Sequence, residues 1–378
     1  MFDKLRNRIS QINIFGNMPR RTRILLKSFL ITLLSISVVV VVGIIFWNRT
    51  VVPPPPPPLD YVRRPVETPP PNNDYPIDNG DEEVEEKYEY FWPAPERFTD
   101  DDRRDDFWTF LIIGLNQRLN SNVVMVASYC GTSREANLIS IPRDVVVHPT
   151  RTGRQLLSSY IAGSGGDRGR AGGIAQVQRD VMNVVGFIPD YYVVIDYEAF
   201  FSIIDAIGGI DIDVPIRMRY VDPYQDLDID IQPGMQHMDS ATALDFVRFR
   251  QSNRNSGYPS LPDGDFGRTR NQQAVINEVV NRLLRPASIL QVPEFVNIFN
   301  ESVYTNLTFS NMMYFALELN HVRGTDALTT YTLLPARSGW PASSEEFLSP
   351  QAVLELVNQT VNPFDREFEL RDINVVTQ

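Results

Sequence analysis

The stretch Tyr191-Tyr-Val-Val-Ile-Asp-Tyr-Glu-Ala-Phe-Phe-Ser-Ile-Ile-Asp-Ala-Ile-Gly-Gly-Ile-Asp-Ile-Asp-Val214 changes its hydrophobic period twice. Residues 191–196 are a short apolar run and read as a buried strand. Residues 197–207 carry a helical pattern, and Gly208 and Gly209 stop it. Residues 210–214 then resume as a strand. A strand, a helix and a strand in this order predict an α/β fold whose sheet is covered by helices on both faces.

Working outward, residues 107–114, 123–130 and 136–141 are apolar runs suited to adjacent strands. A Gly/Arg-rich loop over 163–173 precedes a helix predicted over 174–185. Further on, the pattern predicts a helix over 267–284, two helices before Asn320, a strand near 328–334 and a helix from Pro350 to about residue 357. One domain over 107–364 is the simplest organisation, with 365–378 as a C-terminal tail that reads either as a short ordered edge or as a loose end.

Upstream, residues 28–47 are twenty uncharged residues, about 30 Å of helix, which is the thickness of a bilayer hydrocarbon core. Lys4, Arg6, Arg8, Arg20, Arg21, Arg23 and Lys27 precede the run against the single acid Asp3, which predicts a cytoplasmic N-terminus over 1–27. The run ends in Ile44, Ile45, Phe46 and Trp47 rather than in small residues, so it reads as a retained transmembrane signal anchor and not as a cleaved signal peptide. Residues 48–106 read as an extracellular linker. Its prolines, Pro53 to Pro58 and Pro69 to Pro71, favour an extended polyproline II spacer, followed by a solvated acidic tether.

The chain of 378 residues has formal charge −12; residues 1–50 hold eight Lys/Arg and one acid, so the remainder carries −19. No basic stripe lies outside the membrane-proximal segment, which argues against nucleic acid as a partner. The one cysteine, Cys130, cannot form an internal disulfide and sits among apolar neighbours. His148, His237 and His321 show no metal-ligand spacing.

Arginine is the residue type with positional meaning here. In Val247-Arg-Phe-Arg250, an extended backbone would put Arg248 and Arg250 on one side, with Val247 and Phe249 toward the core. Downstream, Asp265-Phe-Gly-Arg-Thr-Arg-Asn-Gln-Gln273 opens a helix with Asp265 as the expected cap, and Arg268 and Gln272 share a face. A helix N-terminus favours anions. The row continues as Ile276, Val280 and Leu284, so an amphiphile with an anionic head and an apolar tail matches it.

Seven ordered segments resemble the LytR-CpsA-Psr family of membrane-anchored cell-envelope enzymes. They are Leu111-Ile-Ile-Gly-Leu-Asn-Gln-Arg118, Leu138-Ile-Ser-Ile-Pro-Arg-Asp144, Pro189-Asp-Tyr-Tyr-Val-Val-Ile-Asp196, Asp205-Ala-Ile-Gly-Gly-Ile-Asp-Ile-Asp-Val214, Asp222-Pro-Tyr-Gln-Asp226, Ala243-Leu-Asp-Phe-Val-Arg-Phe-Arg250 and Gly264-Asp-Phe-Gly-Arg-Thr-Arg-Asn-Gln-Gln273. The resemblance implies a central mixed sheet sandwiched between helix layers. It also implies a transferase that moves a glycopolymer from a polyprenyl pyrophosphate carrier to peptidoglycan. Arg143, Arg248, Arg250, Arg268 and Gln272 match the residues that hold the pyrophosphate, with the four arginines carrying the catalysis, and Ile276, Val280 and Leu284 match the lining of a prenyl tunnel.

The family pattern also has two Asp that bind Mg²⁺ (or Mn²⁺), and one of them serves as base. Asn116 and Asn122 stand at those positions. An Asn carbonyl can ligate a cation, yet it brings no charge and takes no proton. Two readings follow: a glycopolymer transferase, or a non-catalytic envelope protein that binds polyprenyl (pyro)phosphate. A DNA-binding role has only the 27-residue basic flank to rest on. The acids Asp222, Asp226, Asp228 and Asp230 read as a solvated face, and the Asn/Ser/Gly/Pro-rich residues 251–262 as a loop at the mouth of the site.

Overall fold

The structure is a computed structural model that describes residues 53–55, 98–148, 154–163, 169–224, 227–283, 292–318, 328–338 and 345–377. The expected span 28–47, its cytoplasmic flank and most of the linker lie outside the described residues, among which no helix is long and apolar enough to cross a membrane.

The chain opens with three strands, β1 (Phe107–Leu115), β2 (Ser121–Cys130) and β3 (Glu135–Ile141). The short pair β4 (Val146–His148) and β5 (Arg154–Gln155) follows, then α1 (Ser159–Gly163), α2 (Gly169–Val185), β6 (Tyr191–Ile195) and α3 (Tyr197–Ala206). Next come β7 (Ile210–Val214), β8 (Met218–Asp222), β9 (Leu227–Ile231), β10 (Gly234–Met238), α4 (Ser240–Arg248) and α5 (Asp265–Leu283). The last elements are α6 (Val292–Ser302), β11 (Tyr304–Thr305), α7 (Phe309–Glu318), β12 (Leu328–Thr332), β13 (Pro335–Ser338), β14 (Glu346–Leu348) and α8 (Pro350–Thr360).

Six of these strands form one sheet in the order β11-β6-β1-β2-β3-β12. The β1–β2, β2–β3 and β6–β11 pairs are antiparallel, whereas β1–β6 and β3–β12 are parallel, so the sheet is mixed. Alternation along β1 decides what lies on each face. Leu111 and Ile113 turn toward a core shared with Val124, Val126 and Ile139 of the neighbouring strands, Val177 and Val181 of α2, and Val353 and Val357 of α8. On β6, Val193 packs with Ala199 and Ile203 of α3. Helices therefore flank the sheet. A second core joins β7, β8, β9 and β10 to α4 and α5 through Ile210, Met218, Ile229, Phe246 and Val275.

Packing reaches beyond 107–364 at both ends. The Phe98 ring lies 4.5 Å from Phe364 and 4.9 Å from Phe368, and Arg103 pairs with the buried Asp190. Phe368 and Ile373, assigned from sequence to a tail, are buried. The linker departs from a free spacer as well: the Trp108 indole N–H donates to the Pro54 carbonyl at 2.9 Å, and Pro54 is buried.

Residues 240–248 correct a second expectation, because Arg248 ends a helix rather than sitting in a strand. Asp239 caps that helix by accepting the Thr242 N–H. Phe249 then turns to extended backbone and buries its ring. A helix end and one turn, not strand alternation, bring Arg248 and Arg250 together. The acidic run near 222–230 is a β8–β9 hairpin whose Asp228 and Asp230 pair with Arg219 and Arg217 across the strands, while Leu227, Ile229 and Ile231 face the core.

Candidate functional site

Because β1, β3 and β6 run in one direction, their C-terminal ends share an edge of the sheet, the usual place for ligands in open α/β sheets. The loop after β1, Arg143 after β3 and Asp196 after β6 meet there at a cavity of about 790 Å³. Its floor includes Ile112, Gly114 and Val123 of the sheet. A Cβ on Gly114 would lie 2.8 Å from the Val123 Cβ, so the floor has room for only one of the two side chains.

The five residues expected to hold pyrophosphate, Arg143, Arg248, Arg250, Arg268 and Gln272, all line this cavity. Arg118, quoted above within a motif but given no role, lines it as well. Five arginines thus face it against one carboxylate, Asp196, which is engaged in capping α3 through the Ala199 N–H. Ile276 is also in the lining, together with Leu115, Phe200, Leu244 and Val247. Val280 is not among the lining residues, and Leu284 lies outside the described residues.

Asp265 is not the expected cap. It is the first residue of α5, and its carboxylate binds three arginines: Arg268 Nη2 donates to it at 2.7 Å, Arg143 Nε lies at 3.3 Å and Arg250 Nε at 3.8 Å. This anchor holds Arg268 by a hydrogen bond and keeps Arg143 and Arg250 near it by charge attraction. Burial, with Arg143 and Arg250 as like charges, lowers the Arg268 guanidinium to about 10, which leaves it charged at neutral pH. Arg248 stacks over Tyr197 at 5.5 Å from the ring centroid.

Behind the arginines, Asp144 lies 3.7 Å from Arg143 Nε, and burial raises its carboxyl above the usual carboxylate range. Glu346 of β14 is pushed up to about 7, first by burial and then by Asp144 and Asp265. Neither Asp265 as a charge anchor nor Glu346 was legible from spacing. Glu346 lies 78 residues beyond Arg268 in the chain and reaches the site only because β14 bridges to Val145.

Asn116 and Asn122 do not fit the divalent cation implied by the resemblance. Asn116 Oδ1 accepts the Arg118 N–H at 2.9 Å and the Asn120 N–H at 3.0 Å, closing the β1–β2 turn. Asn122 Oδ1 accepts from Arg143 Nη1 at 3.4 Å. A guanidinium therefore stands beside the oxygen that a cation would need. Among the described residues no group of three or more His, Cys, Asp or Glu side chains is placed to hold a metal ion.

Cations, a helix N-terminus and apolar side chains around one cavity suit a molecule with a phosphorylated head and a hydrocarbon tail.

Relatives carry the same framework. The chain is 27% identical over 196 residues to the polyisoprenyl-teichoic acid–peptidoglycan teichoic acid transferase TagV of Bacillus subtilis, covering 50% of this chain and 46% of that protein. It is 25% identical over 221 residues to the enzyme of the same description, TagU, of Bacillus licheniformis, covering 56% of this chain and 64% of the relative. It thus spans less than two thirds of either relative. The crystal structure of B. subtilis TagV superposes with a TM-score of 0.55 at 19% identity, over 68% of this chain and 96% of that one, and so shares the fold. The profile of the LytR_cpsA_psr family matches residues 78–348, and the chain belongs to that family.

Proposed function

We propose that this protein transfers a glycopolymer from a polyprenyl pyrophosphate carrier to peptidoglycan, working at the outer face of a membrane to which residues 28–47 anchor it. The observation that carries the reading is the set of five arginines that line one cavity together with apolar side chains such as Phe200, Leu244, Val275 and Ile276. Arg143, Arg248, Arg250 and Arg268, with Gln272, would grip the two phosphates, and the prenyl chain would pass toward Ile276 and Val275. An acceptor hydroxyl attacks the phosphorus that bears the saccharide. The bond from that phosphorus to the bridging oxygen breaks, prenyl phosphate leaves, and the hydroxyl proton passes to solvent. Negative charge growing on the equatorial and bridging oxygens meets prepositioned guanidiniums, which is electrostatic stabilisation requiring little rearrangement.

No step is assigned to Mg²⁺ or Mn²⁺, given the hydrogen bonds that occupy Asn116 and Asn122. That same occupancy motivates a second reading, a protein that binds the polyprenyl pyrophosphate without turning it over. Incubating the full chain in detergent with a prenyl pyrophosphate-linked saccharide and peptidoglycan fragments, with and without Mg²⁺ or Mn²⁺, separates the two. Release of prenyl phosphate with saccharide joined to the acceptor supports transfer. Saturable binding with no release under any metal condition supports the carrier-binding reading, and neither binding nor release defeats both.

A further inference from the structure

Glu346 is a half-buried carboxylate beside the arginines that the transfer reading leaves unused. Its backbone N–H donates to the Asp144 carbonyl at 3.0 Å, and Val145 bridges to it, so β14 is tied to the loop bearing Arg143. Its Oε2 is buried and has no hydrogen-bond partner among the described residues. Glu346 is not among the residues lining the cavity, so it does not touch a ligand there.

The groups acting on it come from several elements. Asp144 and Arg143 belong to the β3–β4 loop, Asp265 belongs to α5, and Arg250 follows α4. β13 sets Ser338 opposite it in register, and β4 ends at His148. Asp265 is paired to three arginines and Asp144 to one. Among the described residues Glu346 has no such pairing, so of these three carboxylates its neutralisation forfeits the least. A diphosphate in the cavity would add two negative charges on the far side of Arg143 and Arg250 and raise the cost of an ionised Glu346 further.

We propose that Glu346 is the proton-binding residue that sets the charge of the arginine clamp, taking up a proton as the diphosphate head binds. It is a positioning residue, acting through Arg143 and Asp265. The inference rests on the reading of the arginine cluster as a diphosphate site. Because burial already pushes the Glu346 carboxyl up to about 7, the clamp gains net positive charge on the acid side of neutrality and loses it as the pH rises.

The test measures the affinity of the full chain in detergent for a short-chain prenyl diphosphate-linked N-acetylglucosamine between about pH 6 and pH 8, a range in which the probe keeps both diester charges and Glu346 changes its own. The wild type is expected to lose about tenfold in affinity across that range. Glu346→Gln and Glu346→Ala are expected to bind with the wild-type acid-side affinity throughout. His148→Gln keeps the wild-type slope. An equal slope in both Glu346 variants, or a slope abolished by His148→Gln instead, overturns the inference and leaves the diphosphate site standing. If the wild type binds the probe at no pH in the range, the site reading itself falls.

Discussion

At the scale of single residues, the candidate site is a problem in charge. Arg268 is almost wholly enclosed and stays cationic because Asp265 lies against it. Replacing Arg268 or Arg248 by Ala is expected to slow prenyl phosphate release on the order of 100-fold, with folding unchanged by circular dichroism. A release rate within threefold of wild type would remove these arginines from the chemistry. Glu346 also carries a stability consequence whose sign is set by its shift. Its folded pKa, about 7, lies above the unfolded value of 4.5, so the folded state holds the proton more tightly. Stability from this group is therefore full below the unfolded value and is lost as the pH rises through the folded one. Glu346→Gln should melt at nearly the wild-type temperature at about pH 5 and above it at about pH 8; an equal difference at both pH values contradicts the assignment. Arg268 and Gln272 were legible from their four-residue spacing and Arg143 from the family motif, whereas Arg248 and Arg250 were read on a strand spacing that a helix end replaces. Asp265 and Glu346 were not legible, because their partners come from segments far apart in the chain.

At the scale of elements, α5 has to be held against the sheet for Arg268 and Gln272 to face the cavity. Gln273, on the opposite side of that helix, does this by donating from Nε2 to Ser140 Oγ at 2.8 Å, the Tyr331 carbonyl at 2.9 Å and Thr332 Oγ1 at 3.1 Å. Gln273→Leu leaves these buried acceptors without a donor and should cost about 1–3 kcal/mol in denaturant unfolding. Its carrier affinity should fall as well, because the helix bearing two ligand residues loses its tie to β3 and β12. The cavity floor offers a second check. Gly114→Ala drives a methyl into the Val123 side chain and should cost about 1–3 kcal/mol, most of it recovered by Val123→Ala in the same chain. The strand-helix-strand run at 191–214 was readable because Asp196 caps α3 and Gly208 and Gly209, both at positive φ, end it. The helix over 240–248 was hidden by its own ending: the extended turn at Phe249 gives Val247 to Arg250 the look of a strand.

At the scale of the whole molecule, the sequence places a basic flank, an apolar run, a proline-rich segment and an acidic domain in that order. The chain is expected to remain with membranes through carbonate extraction, and removing residues 28–47 should release it; recovery of the intact chain in the soluble fraction would contradict the anchor. Protease added outside cells should digest the domain and spare the N-terminal flank. What the sequence determined by itself is local: the period of the strands β1, β2, β3, β6 and β7 and of the helices α3 and α5, the stops at glycine, the length of the apolar run and the four-residue spacing of Arg268 and Gln272, all of which depend on neighbours within a few residues. What only the tertiary structure decided is which distant charges share a site. Asp265 meets Arg143 and Arg250, Asn122 faces Arg143, Gln273 fastens α5 to two strands, and Glu346 comes beneath the clamp through a bridge to Val145. The physical reason is that hydrogen bonding and side-chain alternation act along the chain, whereas burial and Coulomb interaction act through space, and the sheet order that converts one into the other appears only when the strands pair.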